Sequence, residues 1–143
     1  MSKYQNLPDL FFSKAEQNLN NLHLLKLDNN TNDINQWKWL DTRNLVLKIH
    51  KFLEARNLSD SDRILLVSEN RPEWMASDIA IMSSKLIAVP NYITYTSRDF
   101  EHILNDSKPK GLIVSNKELL ETVCPILNEL TENCILDLIR IIR

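Results

Sequence analysis

The sequence predicts an α/β fold, a partial and mainly parallel sheet with flanking helices, preceded by an N-terminal β-hairpin. Three observations predict it. Ile64–Val67 is a continuous apolar run of the kind seen in a strand buried on both faces. A long apolar helix-like run, Met75 to Met82, follows it directly. Short apolar runs at Ile87–Pro90 and Leu112–Val114 then alternate with further amphipathic segments, the order that right-handed crossovers between parallel strands require.

Each element has a local reason. Leu7-Pro8-Asp9 opens a segment with Leu10, Phe11, Ala15 and Leu19 near helical spacing, and Pro8 suits a first helical turn. His23–Leu27 and Gln36–Leu40 read as strands separated by the polar Asp28–Asp33 turn. Trp37 and Trp39 then fall on one face of the second strand. Asp41 or Thr42 can cap the next helix, whose Leu45, Ile49, Phe52 and Leu53 recur at i, i+4, i+7 and i+8. Ser59–Asp62 is a turn.

Beyond Val67, Asn70-x-x-Glu73 has the spacing of a capping box, Pro72 fits the first turn, and the helix continues to about Ser84. Thr96-x-x-Asp99 caps a helix presenting Phe100, Ile103 and Leu104. Ser115-x-x-Glu118 opens another, with Leu119, Leu120, Val123, Ile126 and Leu127, which Pro125 should kink or end. Ile135–Ile142 is apolar, and its length leaves helix and strand open.

Composition excludes more than it nominates. At 143 residues with 43% hydrophobic and 25% charged, the chain has material for a core and is one domain or part of one. A net charge of −2 with scattered signs gives no case for nucleic acid or an anionic membrane. No apolar run approaches the roughly 18 residues of a membrane span, and a soluble, cytoplasmic protein is expected. Cys124 and Cys134 lack metal-ligand spacing, and His23, His50 and His102 lie apart, so they read as structural thiols and imidazoles. Glycine is decisive. Gly111 stands alone where average usage of ~7% would give about ten. Neither a GxGxxG turn nor a GxxxxGK[ST] loop exists without it, so a phosphate-cradling loop is excluded. The sixteen asparagines offer the next most tolerant residue for left-handed turns.

Four constellations carry possible chemistry. Glu69, Asn70, Arg71 and Glu73 sit at the carboxyl end of a strand, where open α/β sheets bind ligands. Arg71 could contact an anion and Glu69 could act as an acid or base. Helix capping by Asn70 and Glu73, with Arg71 paired to an acidic neighbour, explains the same residues better. Asp78, a charge within an apolar helix, is read as a structural pair. Tyr92–Thr96 is read as a loop whose hydroxyls cap the following helix rather than a cleft wall, and the Trp37/Trp39 stripe as core rather than a stacking platform. No catalytic, cofactor-binding or metal-ligating residue is assigned.

Ser68-Glu69-Asn70-Arg71-Pro72-Glu73-Trp74 resembles an element of the long-chain fatty acid–CoA ligases in the AMP-binding, adenylate-forming superfamily. The resemblance extends to Asp62-Arg63-Ile64, Asp78–Ile81, Ala88-Val89-Pro90, His102–Ser107 and Leu7–Phe11, nearly the whole chain. It implies the N-terminal part of the adenylate-forming enzyme fold, with residues 1–143 an incomplete N-terminal subdomain. It also implies a two-step reaction with fatty acid, ATP, Mg and CoA in the full-length family. The family's phosphate loop, its adenine and magnesium motifs and its catalytic lysine lie beyond the matched region, so no cofactor is expected on this chain. The isolated chain is expected to be inactive, or to be a non-catalytic module or half of a split ligase completed by a protein partner. Ser61, Lys85 and Asn57 replace family glycines, and a left-handed residue other than glycine costs about 1–2 kcal/mol.

Overall fold

In the computed structural model, which describes residues 3–28, 31–127 and 136–137, a helix and a hairpin precede the main sheet. The order is α1 (Leu7–Asn18), β1 (Leu22–Leu27), β2 (Ile34–Lys38), α2 (Trp39–Glu54), β3 (Arg63–Val67), α3 (Pro72–Ser83), β4 (Ile87–Asn91), α4 (Ser97–Ser107), β5 (Gly111–Val114), α5 (Lys117–Leu127) and β6 (Leu136–Asp137). β1 and β2 pair antiparallel, while the second sheet has the order β4-β3-β5-β6 with every pair parallel. The expected fold class is the observed one.

β3 is buried on both faces. Ile64 and Leu66 enter one cluster with Ile113, Ala76, Ala80 and Ile81, backed by Val46 and Ile49 of α2 and Phe11 of α1. Leu65 and Val67 enter the other with Leu112, Val114, Phe100 and Leu104 of α4, and Leu119 and Val123 of α5. Each of these Leu, Ile and Val side chains contributes about 1.5–3 kcal/mol by leaving water. So α3 covers one face of the sheet and α4 the other.

The capping signals succeed and fail for identifiable reasons. The Asn6 side chain accepts from Asp9 N–H, and Pro8 sits in the first turn of α1. Thr96 and Asp99 form the expected reciprocal box: Asp99 accepts from Thr96 N–H at 2.8 Å, and the Thr96 hydroxyl accepts from Asp99 N–H at 3.4 Å. Neither Asp41 nor Thr42 occupies the N-cap position of α2, which is Lys38; Asp41 contributes to the cap from the third helical position. The helix begins earlier, at Trp39, because the Asp41 carboxylate accepts the Lys38 N–H at 2.8 Å from inside the first turn. That start also ends β2 at Lys38, so Trp37 and Trp39 are not a strand stripe. Both rings still reach the same cluster, Trp39 from the helix.

At α5 the cap is Asn116 rather than Ser115, its side-chain oxygen accepting from Leu119 N–H at 2.8 Å. The helix runs past Pro125 to Leu127, so the proline does not end it. The side chains of Cys124, Ile126 and Leu127, all of Cys134, and the Ile135–Ile142 run apart from the Leu136–Asp137 strand lie outside the described residues.

The hairpin is held on α2 by an aromatic joint. His23 stacks on Trp39 with centroids 3.7 Å apart, and its Nδ1 lies 3.0 Å from Thr42 Oγ1. Burial pushes the His23 ring below its ordinary 6.5. A lowered folded-state pKa means that unfolding takes up protons, so this contribution is full above about 6.5 and falls as pH drops. Melting temperature should therefore decline between about pH 7.5 and 5, and His23→Phe, which keeps the stack, should flatten that slope. An unchanged slope in the variant would exclude His23 as its source.

Two of the three glycine replacements do sit in left-handed backbone. Ser61 has φ 71° and Lys85 φ 59°, and Ser61 N–H donates to the Lys85 carbonyl at 2.8 Å. Asn57 is not among the left-handed residues. Ser61→Gly and Lys85→Gly should each stabilise the fold by about 1 kcal/mol, read as a higher urea midpoint at constant slope. A lowered midpoint in both would show that the strain is compensated by side-chain contacts.

Candidate functional site: the crevice at the strand switch

The order β4-β3-β5 places a topological switch between β3 and β5. The chain leaves β3 through α3 to reach β4 on one side, then returns through α4 to β5 on the other. Connections that part in this way open a crevice at the carboxyl ends of the two strands. Here those ends are Val67 and Val114, followed by the 68–71 loop and by Ser115 and Asn116.

The crevice has a volume of about 710 Å³. Residues 24–27 of β1 form one wall, the 69–72 loop with Trp74 and Met75 the other, and Ser115 and Asn116 complete it. A second hollow of about 480 Å³, between residues 68–70 and 90–93, shares Glu69, Asn70 and Trp74 with the first. Tyr92–Thr96 therefore splits in role: Tyr92 and Ile93 line this hollow, and Thr96 caps α4.

The capping reading of the 69–73 loop is corrected. Arg71 occupies the cap position of α3 and no side chain caps that end, so Asn70 and Glu73 form no capping box. Glu73 is drawn away by Arg71, whose Nε and second terminal nitrogen donate to its two carboxylate oxygens, both at 2.8 Å. The expected pairing of Arg71 with an acidic neighbour is thus present. Burial pushes the Glu73 carboxyl up, but the Arg71 hydrogen bonds, its own backbone N–H and the charges of Arg71 and Lys26 outweigh it and hold it low. Hydrogen bonding to Glu73 raises the Arg71 guanidinium despite burial. With its fork spent on Glu73, Arg71 is a poor anion receptor.

Glu69 faces across the switch. Its carboxylate accepts from Asn116 Nδ2 at 2.9 Å. Burial pushes its carboxyl up, and hydrogen bonds from Ser115, its own backbone N–H and Asn116, with the Arg71 charge, bring it below the ordinary range. Asp78 has no hydrogen bond or ion pair among the described residues, so the expected structural pair is absent, and burial raises its carboxyl.

One serine–histidine contact lies elsewhere. His50 Nδ1 is 2.8 Å from Ser84 Oγ, joining residues 34 apart, a pairing no local pattern signals. The Ser84 hydroxyl donates to the Ala80 carbonyl at the C-terminal end of α3. The negative end of the helix dipole disfavours an alkoxide there, so the contact clamps α2 to α3. Among the described residues no three His, Cys, Asp or Glu side chains gather as a metal site. Gly111, the single glycine, is a strand residue paired with Ile64 and does not line the crevice.

The AMP-binding enzyme family model matches residues 11–140. The chain belongs to this family. Fatty acyl-CoA synthetase A of Dictyostelium discoideum is 30% identical over 86 residues, 58% of this chain and 13% of that protein. The mitochondrial acyl-coenzyme A synthetase ACSM3 of Mus musculus is 25% identical over 122 residues, 85% of this chain and 20% of the relative. The chain thus spans a fifth or less of these relatives. Among solved structures, the anthranilate CoA ligase AuaEII in complex with anthranoyl-AMP superposes with a TM-score of 0.82 at 20% identity, over 96% of this chain and 25% of that one. The N-terminal subdomain of Klebsiella oxytoca NpsA superposes with a TM-score of 0.80 at 16% identity, over 99% and 33%. These superpositions show a fold shared with both proteins, the second of them an N-terminal subdomain.

Removing Arg71 tests the site's main ion pair. Arg71→Met leaves Glu73, only 7% exposed at the side chain, without its partner, while Arg71 itself is 24% exposed. The expected cost is about 2 kcal/mol, below fully buried values because of that exposure. Adding Glu73→Leu should recover much of it; a double variant less stable than Arg71→Met would overturn the pairing argument.

Proposed function

We propose that residues 1–143 are an incomplete N-terminal subdomain of an ATP-dependent long-chain fatty acid–CoA ligase. In that reaction a carboxylate oxygen attacks the α-phosphorus of ATP, expelling pyrophosphate and leaving an acyl-adenylate. The CoA thiol then displaces AMP to give the thioester. ATP, Mg and CoA belong to the full-length enzyme. The family match over residues 11–140 carries this reading, and the Dictyostelium relative's name supports a fatty acyl substrate.

This chain by itself does not adenylate. Its single glycine is committed to β5, leaving no backbone to cradle phosphates. A cytoplasmic location is part of the proposal; no described helix is long and apolar enough to cross a membrane. Its contribution is scaffolding: the first sheet, the crevice and the hairpin.

One observation favours a second reading, half of a split ligase docking on a chain that holds the phosphate loop. Leu25, Leu27 and Ile34 of the hairpin are 58%, 55% and 59% exposed, an apolar patch suited to a protein partner.

The purified chain should give no pyrophosphate–ATP exchange with long-chain fatty acids above a blank. Robust exchange would overturn the scaffold reading. Co-purification with a phosphate-loop chain, restoring exchange, would select the split-ligase form.

A further inference from the structure

We propose that Glu69, Ser115 and Asn116 form a latch across the mouth of the switch-point crevice, with Asn116 as its positioning residue. The inference concerns the 143-residue chain itself and stands whether or not the ligase reading holds.

The geometry is economical. Asn116 uses both ends of one amide: Oδ1 accepts from Leu119 N–H at 2.8 Å, and Nδ2 donates to Glu69 Oε1 at 2.9 Å. The first bond fixes the side chain to the start of α5. The second carries that placement 47 residues back along the chain to the β3–α3 loop. Ser115, only 6% exposed, ties the same junction to β3, its N–H donating to the Val67 carbonyl at 3.1 Å. α3 has no side-chain cap of its own. The 69–71 loop is therefore held from outside, by the β5–α5 junction, and the loop wall of the crevice moves together with Ser115 and Asn116 while the latch is closed.

The latch needs Glu69 ionised, because a protonated carboxyl cannot accept from both donors as well. The charged group facing it is Arg71 on its own loop, which is paired with Glu73 in the first turn of α3, where Lys26 of β1 also acts; Ser115 and Asn116 face it from the β5–α5 junction. A carboxyl held low in the folded state stabilises above its ordinary value of about 4.5, and that stabilisation is lost as pH falls through the lowered value. The latch is closed at neutral pH and opens on acidification.

Asn116→Asp separates latch from cap. Aspartate keeps an acceptor for Leu119 N–H but removes the donor and sets a second carboxylate against Glu69. The backbone amide order parameters of Asn70 and Arg71 should fall, with those of α5 unchanged. The Glu69 carboxyl titration, followed by carbon NMR, should move upward. Unchanged order parameters at Asn70 and Arg71, or an equal fall throughout α5, would overturn the proposal and leave Asn116 as a cap alone. Should that variant fail to fold, Glu69→Gln provides the check. The Asn70 and Arg71 amide shifts should titrate with Glu69 in the parent chain and lose that titration in Glu69→Gln; persistence of it would equally overturn the latch.

Discussion

Both halves of the core meet on β3. A strand of alternating faces can serve two clusters only if every residue is apolar, and Ile64, Leu65, Leu66 and Val67 are each completely buried. Ile64 and Leu66 support the layer of α1, α2 and α3, and Leu65 and Val67 support α4 and α5. β5 divides in the same way through Ile113 and Val114, and β4 does so less deeply through the half-buried Ala88 and Val89. The strand has parallel neighbours on both edges, β4 on one and β5 on the other. The next polar residues must therefore emerge beyond Val67, and this is where the crevice opens.

The scarcity of glycine shapes the opposite end of the sheet. Ser61 and Lys85 take the left-handed backbone that the turns into β3 and β4 require, and they are bonded to each other. Topology has evidently imposed that conformation on residues that do not favour it. Lys85 also lies 3.4 Å from Asp60 across an exposed surface, a contact too screened to offset the strain by much. At the carboxyl end, asparagine does work that glycine cannot. Asn116 supplies both a cap and a donor where a phosphate loop would need bare backbone. The two ends of the sheet thus show the same composition with opposite consequences.

The crevice is built from neutralised charges. Arg71 and Glu73 satisfy each other, and Glu69 is satisfied across the switch by Ser115 and Asn116. That arrangement suits a scaffold surface that holds its shape before it meets anything. The Ser68–Trp74 element is a joint between strand and helix, and its polar residues hold the joint together.

By itself the sequence determined the α/β class, β3, the apolar run of α3 and the Thr96–Asp99 box, because each depends on residues adjacent in the chain. It also identified Ser61 and Lys85 as strained, since the family pattern marks where the turn must be left-handed. Local spacing misplaced the caps of α2, α3 and α5. Asp41, Arg71 and Asn116 each had a competing partner, and the choice turned on which was nearer in space. Only the tertiary structure decided that Glu69 meets Asn116, that His50 meets Ser84, and that Asp78 has no described partner. Hydrogen bonds between residues tens of positions apart depend on strand order, and strand order follows from how the two apolar faces of β3 are covered.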